Sequence, residues 1–279
     1  MYHRKRKTIK VIGWNLAFIF ITKSGLYCYS LWVKNIKGRE QKHILENTVK
    51  IKPSNSSIIG KADVELYAIE SKAAGKSIQL AKKFGYRLKG IDLSGVVLNN
   101  LDLRDGSLNS VKFNSADLFA ADLTNSKLKK VSFEGAFLKK ILFNRAYLHK
   151  VSLKLAKLAE SSMVHVTLKA VDLSRADLSR ANLSGARLIN VDLSNVDLSN
   201  AILDHAYLEN VTMINTNCSK AHIYNATIKN SAIKGVKFDE AKLIDSIITE
   251  SDIKDVNFRN TDLRGTKLKK NKTTNIKFK

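Results

Sequence analysis

The chain has 279 residues, one large domain or two small ones by length, and 44% of them are apolar, which supplies a core and excludes wholesale disorder. Lys and Arg number 48 against 25 Asp and Glu, a formal charge of +23 that favours anionic partners while leaving the fold open. Two cysteines, Cys28 and Cys218, exclude a disulfide framework and any Cys-based zinc site.

Residues 1–33 form a basic and then apolar segment. Arg4, Lys5, Arg6, Lys7 and Lys10 precede an apolar run from Val11 to Ile21 that only Asn15 interrupts. A positive start before about ten apolar residues has the form of a secretory signal or a signal anchor. Against cleavage stands the lack of a small-x-small site with Ala, and against a full span stand the short run and Lys23. A structured or interfacial segment is the alternative, so cytoplasmic, membrane-associated and exported locations all stay open. Residues 34–60 read as a linker around Pro53-Ser54-Asn55-Ser56-Ser57, and Pro53 is the only proline. In 61–85, Leu66, Ile69, Ala73, Leu80 and Phe84 recur at helical spacing with Lys72, Lys76, Lys82 and Lys83 elsewhere on the wheel. That spacing predicts an amphipathic helix that caps the chain from 86 onward. Gly75-Lys76-Ser77 looks like the end of a phosphate loop, but Glu70 stands where the pattern needs Gly, and a polar helix turn is the better reading.

From 86 to 270 the sequence repeats every five residues. Stepping by five from Leu88 to Leu268 meets 37 positions: 24 Leu, five Phe, five Ile, two Met and Cys218. Two residues before each lies a lattice of small side chains, mostly Ala and Val with some Ser and Thr. Period five fits neither a helix at 3.6 nor a strand at two. It demands a chain that turns after each short segment and points the same two residues inward. Asp or Asn often precedes the large apolar residue, and Ser, Asn, Gly or Arg often comes after it, which is turn chemistry.

The stretch 171–200, VDLSRADLSRANLSGARLINVDLSNVDLSN, resembles the pentapeptide-repeat family, whose consensus is Ala-(Asp/Asn)-Leu-X-X. The resemblance implies an all-β solenoid: a right-handed quadrilateral parallel β-helix of about nine coils, four pentapeptides to each 20-residue coil. It also implies a bacterial source. Family members that protect DNA gyrase are described as mimicking duplex DNA with an acidic rod and a C-terminal dimerisation module. This rod is basic and 271–279 is a short basic tail, so no functional residues carry over. Other members are secreted effectors or membrane-linked proteins.

Residues able to carry catalysis are not assembled. The six histidines show no HExxH spacing, Cys218 occupies the inward lattice, and the recurring aspartates fit the consensus rather than a dry cleft. The reading is therefore not an enzyme, with no cofactor, no metal and no small-molecule substrate. If coils are 20 residues long, charges sort by side. The side starting at 86–90 carries 12 Lys or Arg and only Glu209 and Glu250 as acids, nearly the whole surplus of the rod. Its candidate binding residues are Arg87, Lys89, Lys127, Lys129, Lys130, Tyr147, His149, Lys150, Lys169 and Arg187, with Tyr147 and Tyr207 available to stack. Outward apolar residues (Phe119, Phe137, Leu142, Leu155, Ile189, Ile202, Ile214 and Ile244) scatter over several sides. Three functions fit: an interaction scaffold that binds a protein partner through its side faces, a polyanion binder of nucleic acid or anionic membrane through the basic face, and a secreted or membrane-anchored effector-like protein, which the N-terminal segment would suit. The alternative to a binding face is a solvated side that only supports solubility.

Overall fold

The computed structural model describes Ile19–Thr22, Gly25–Cys28, Gly75 and residues 88–278. The chain divides into two compact units, Met1–Ser77 and Ile78–Lys279. In the first, β1 (Ile19–Thr22) pairs antiparallel with β2 (Gly25–Cys28) in the register Ile19↔Cys28 to Thr22↔Gly25. No helix among the described residues is long and apolar enough to cross a membrane. The basic start, the linker and the cap expectation over 61–85 lie outside the described residues, apart from Gly75, which is helical.

The second unit is a parallel β-solenoid with four sides. Side one consists of β3 (Leu88–Lys89), β4 (Ser107–Asn109), β5 (Lys127–Lys129), β6 (Tyr147–His149), β7 (Thr167–Lys169), β8 (Arg187–Ile189), β9 (Tyr207–Glu209), β11 (Thr227–Lys229), β13 (Ile247–Thr249) and β15 (Lys267–Lys269). They stack in chain order as one ten-stranded parallel sheet. Each residue pairs with the one 20 positions on, as in Leu108↔Leu128 and Leu168↔Leu188. On side two, bridges such as Asp92↔Lys112 and Asp172↔Asp192 give way to strands β10 (Thr212–Ile214), β12 (Ala232–Lys234), β14 (Asp252–Asn257) and β16 (Lys272–Lys277). Sides three and four hold the same 20-residue step through bridges such as Asp117↔Phe137 and Asp122↔Leu142. The coil length read from the period is therefore unbroken.

Two local devices turn the chain at each corner. Every fifth residue from Gly90 to Asn275 has positive φ, between 49° and 71°. Asn and Gly are frequent there and no Val, Ile or Thr occurs, because a β-branched side chain strains this region most. On side three, and on most of sides two and four, the amide three residues past the central apolar residue donates back to its carbonyl, as Ala116 does to Phe113 at 3.1 Å. That closure with φ > 0 at the third residue has the type II form. The consensus Asp completes it: Oδ1 of Asp172, Asp177, Asp192 and Asp197 accepts from the amide two residues on, at 2.8 to 2.9 Å. Those carboxylates thus serve the turns.

The interior is the two lattices. The central Leu and Phe and the small Ala and Val are buried through almost the whole rod. Aromatic rungs stack on their 20-residue neighbours: Phe113 on Phe133 with centroids 5.1 Å apart, and Phe238 on Phe258 at 5.3 Å. The ladder also runs past the apolar lattice. Polar β16 pairs with β14 from Asp252↔Lys272 to Asn257↔Lys277, because backbone pairing does not depend on side-chain polarity.

Candidate anion-binding face

Side one lacks the turn-closing hydrogen bond, so its segments stay extended and form the one side where every rung is a strand. Alternation within each strand buries the central Leu and presents its two neighbours outward. Three outward columns result, with rungs about 4.8 Å apart. The first runs Lys127, Tyr147, Thr167, Arg187, Tyr207, and the second Lys129, His149, Lys169, Ile189, Glu209. The third is the positive-φ corner with Lys130, Lys150, Ala170, Asn190 and Asn210. Lys89, Lys127, Lys129, Lys130, Lys150, Lys169 and Arg187 are all exposed, His149 is half-buried, and Arg87 lies outside the described residues. The structure thus gathers the central candidates on β5 to β8.

Ion pairs are sparser on this side than on the others. On the other sides several cations have a carboxylate close by: Arg104 with Asp102 at 2.9 Å, Lys139 with Glu160 at 2.9 Å, Lys234 with Asp252 at 3.0 Å and Arg264 with Asp262 at 2.7 Å. Lys139 holds the Glu160 carboxyl below the usual carboxylate range, as Arg264 does that of Asp262. On side one the only ion pair among the described residues is Lys229 with Glu250 at 3.6 Å, near the far end. None of Lys127, Lys129, Lys130, Lys150, Lys169 and Arg187 has one. They stand closer together than a Debye length, so their repulsion is relieved only by a bound anion or by salt. Aromatic contacts line the first column: the Arg187 guanidinium sits over the Tyr207 ring at 5.2 Å, and Tyr147 stacks on His149 at 6.3 Å. Sequence reasoning placed these residues on one side but not the Arg187–Tyr207 contact, which depends on the side-chain conformations.

Other candidates do not converge. Cys218 is buried and its thiol is pushed up to about 12, mainly by desolvation, so it is an inert core side chain. Thr124, Asn144, Arg145, Val164 and His165 line a shallow open depression on side four, where Asn144 is already engaged by the Val164 amide and the Ser162 hydroxyl. No group of three His, Cys, Asp or Glu among the described residues is placed to hold a metal ion.

Family models match most of the rod. A pentapeptide repeat model of eight copies matches residues 87–125 and 161–200, and a pentapeptide repeat region model matches 201–278, together more than half of the chain. The chain belongs to the pentapeptide repeat family. The family's right-handed β-helix accounts for the four-sided coil. No curated protein matches the sequence. Among solved structures, the chain is similar to HetL, involved in heterocyst differentiation regulation in the cyanobacterium Nostoc sp. strain PCC 7120. That match has 22% identity over 70% of this chain and 92% of HetL, with a TM-score of 0.31. Full-length QnrB1, a plasmid-mediated fluoroquinolone resistance protein, matches at 15% identity over 67% of this chain and 92% of its own, with a TM-score of 0.33. A pentapeptide repeat protein from the cyanobacterium Cyanothece 51142 matches at 23% identity over 42% of this chain and 84% of its own, with a TM-score of 0.31.

Proposed function

We propose that this pentapeptide repeat protein is a non-enzymatic interaction module that holds a macromolecular partner along the basic side of a rigid rod. The supporting observation is the central cluster of Lys127, Lys129, Lys130, Lys150, Lys169 and Arg187, which has no ion pair and lies on the side that carries nearly the whole positive surplus of the rod. An anionic partner supplies the missing charge, and the register holds the cations ready at low entropic cost. An acidic protein and a polyanion both satisfy that requirement.

Binding of the full chain to immobilised heparin, titrated across salt, tests the reading. The expected result is binding that falls steeply with salt and is lost when Lys127, Lys129, Lys130 and Lys150 are changed to Glu, with the β-type circular dichroism unchanged. Equal binding by that variant, or none by either protein, sinks the proposal and leaves this side as a solvated surface.

A further inference from the structure

Side one is not a uniform cationic strip, and its division into columns bears on what the partner is. The second and third columns carry Lys129, Lys130, Lys150 and Lys169, cations with no exposed aromatic among them. The first column alternates charge with flat rings: Lys127, Tyr147, then Arg187 and Tyr207. Two residues along a strand separate the first column from the second, about 6.6 Å at 3.3 Å per residue. The tract therefore offers a charged rail over the rungs of β5 to β7 and, one side-chain width away, a stacking rail that continues to Arg187 and Tyr207, where Ile189 and Glu209 replace the cations of the second column.

Resting on the anionic-partner reading, we infer that the partner is a single-stranded nucleic acid. Its phosphates lie along Lys129, Lys130, Lys150 and Lys169, and its bases turn toward Tyr147, Arg187 and Tyr207. Proteins that hold single strands pair a basic track with aromatic side chains on which bases stack, and an Arg plane serves the same purpose. Tyr147 is 41% exposed, which leaves ring surface open to a base. The Arg187 guanidinium sits 5.2 Å from the Tyr207 ring centroid, a layered platform that a base extends. A duplex keeps its base faces inside the stack and engages only the charged rail. An anionic membrane calls for large apolar side chains beside the cations, but the exposed ones lie elsewhere. Val97, Phe119 and Phe137 are on side three, Leu155 and Ile214 on side two, Phe278 is at the end of the rod, and Leu268 is on side one but in β15, away from the β5 to β9 tract.

The test uses the full chain and fluorescence anisotropy with four probes: a dT 12-mer, an abasic 12-mer with the same phosphates, a 12-base-pair duplex and heparin. The dT 12-mer is expected to bind at least tenfold more tightly than the abasic strand and more tightly than the duplex. Changing Tyr147 and Tyr207 together to Ala is expected to weaken dT binding by about tenfold or more, from the usual worth of base–aromatic stacking, and to leave heparin binding unchanged. Changing both to Phe restores the ring and is expected to restore affinity. Equal affinity for the dT and abasic strands, preference for the duplex, or indifference to the Ala pair overturns the inference while heparin binding keeps the anionic-partner reading alive. Loss of heparin binding itself removes both.

Discussion

Two buried serines at equivalent lattice positions should respond oppositely to the same substitution. Ser126 and Ser161 are 0% and 2% exposed and occupy sites that Ala fills elsewhere in the rod without strain, as at Ala116 and Ala121. The Ser126 hydroxyl donates to the Leu123 carbonyl at 2.6 Å, whereas the Ser161 hydroxyl has no partner. A buried hydrogen bond contributes about 0.5–1.5 kcal/mol net, and an unsatisfied buried polar group costs about 1–3 kcal/mol. The Leu123 carbonyl keeps its bond from the Ser126 amide at 3.1 Å, which places the cost of Ser126→Ala at the low end, about 0.5–1 kcal/mol. Ser161→Ala removes an unpaired hydroxyl and should stabilise by about 1 kcal/mol or more. For a rod of this size each kcal/mol moves Tm by roughly 2–4 °C. Thermal melts of both variants beside the parent, followed by circular dichroism in the β-sheet band, should therefore bracket the parent with Ser161→Ala above and Ser126→Ala below. Destabilisation of both by the same amount would refute the reasoning, since it requires the Ser161 hydroxyl to be bonded.

Three further outcomes are expected from the geometry. Asn195 sits at φ 57°, so Asn195→Val should cost about 1–2 kcal/mol in a urea unfolding curve, while Asn195→Gly should stay close to the parent. With its folded value pushed up to about 12, the Cys218 thiol contributes stability below the ordinary thiol pKa and loses it as pH rises through about 12. It should resist thiol reagents at mildly alkaline pH in the native protein and react only after unfolding. The Glu160 carboxyl is lowered by its hydrogen bond from Lys139 and by the charges of Lys139 and Lys140. Its contribution is therefore present above the unfolded carboxylate pKa and lost as pH falls through the lower folded value, so Glu160→Gln should flatten the acid limb of a Tm–pH profile.

The repeat made the fold legible because both lattices recur from Leu88 through Leu268 without an insertion to shift the register, and they are buried in nearly every coil up to Phe258. The same continuity let the charges be sorted, so Lys127, Tyr147 and Arg187 could be placed on one side from the sequence alone. What stayed hidden depends on backbone geometry. Lys130, Lys150 and Glu240 read as ordinary solvent residues, and only their φ of 54° to 58° shows that they hold the corners. The consensus Asp read as turn chemistry, and the structure adds which atom serves: its Oδ1 accepts the amide two residues on. Polar β16 was invisible because Asn271 and Thr273 break the two lattices while the backbone ladder continues beneath them. All four sides share one side-chain pattern, so the sequence did not single out side one as the continuous sheet.

The most direct test of the account moves the same charge at two places. One variant changes Lys129, Lys150 and Lys169 on side one to Glu, and the other changes Lys157, Lys220 and Lys237 on side three. Both alter net charge equally, so heparin affinity measured at one salt concentration separates position from total charge. The account predicts that the side-one variant loses binding by a hundredfold or more and that the side-three variant stays within a few fold of the parent. Equal losses in the two would contradict it, because binding would then follow net charge and no face of the rod would be special.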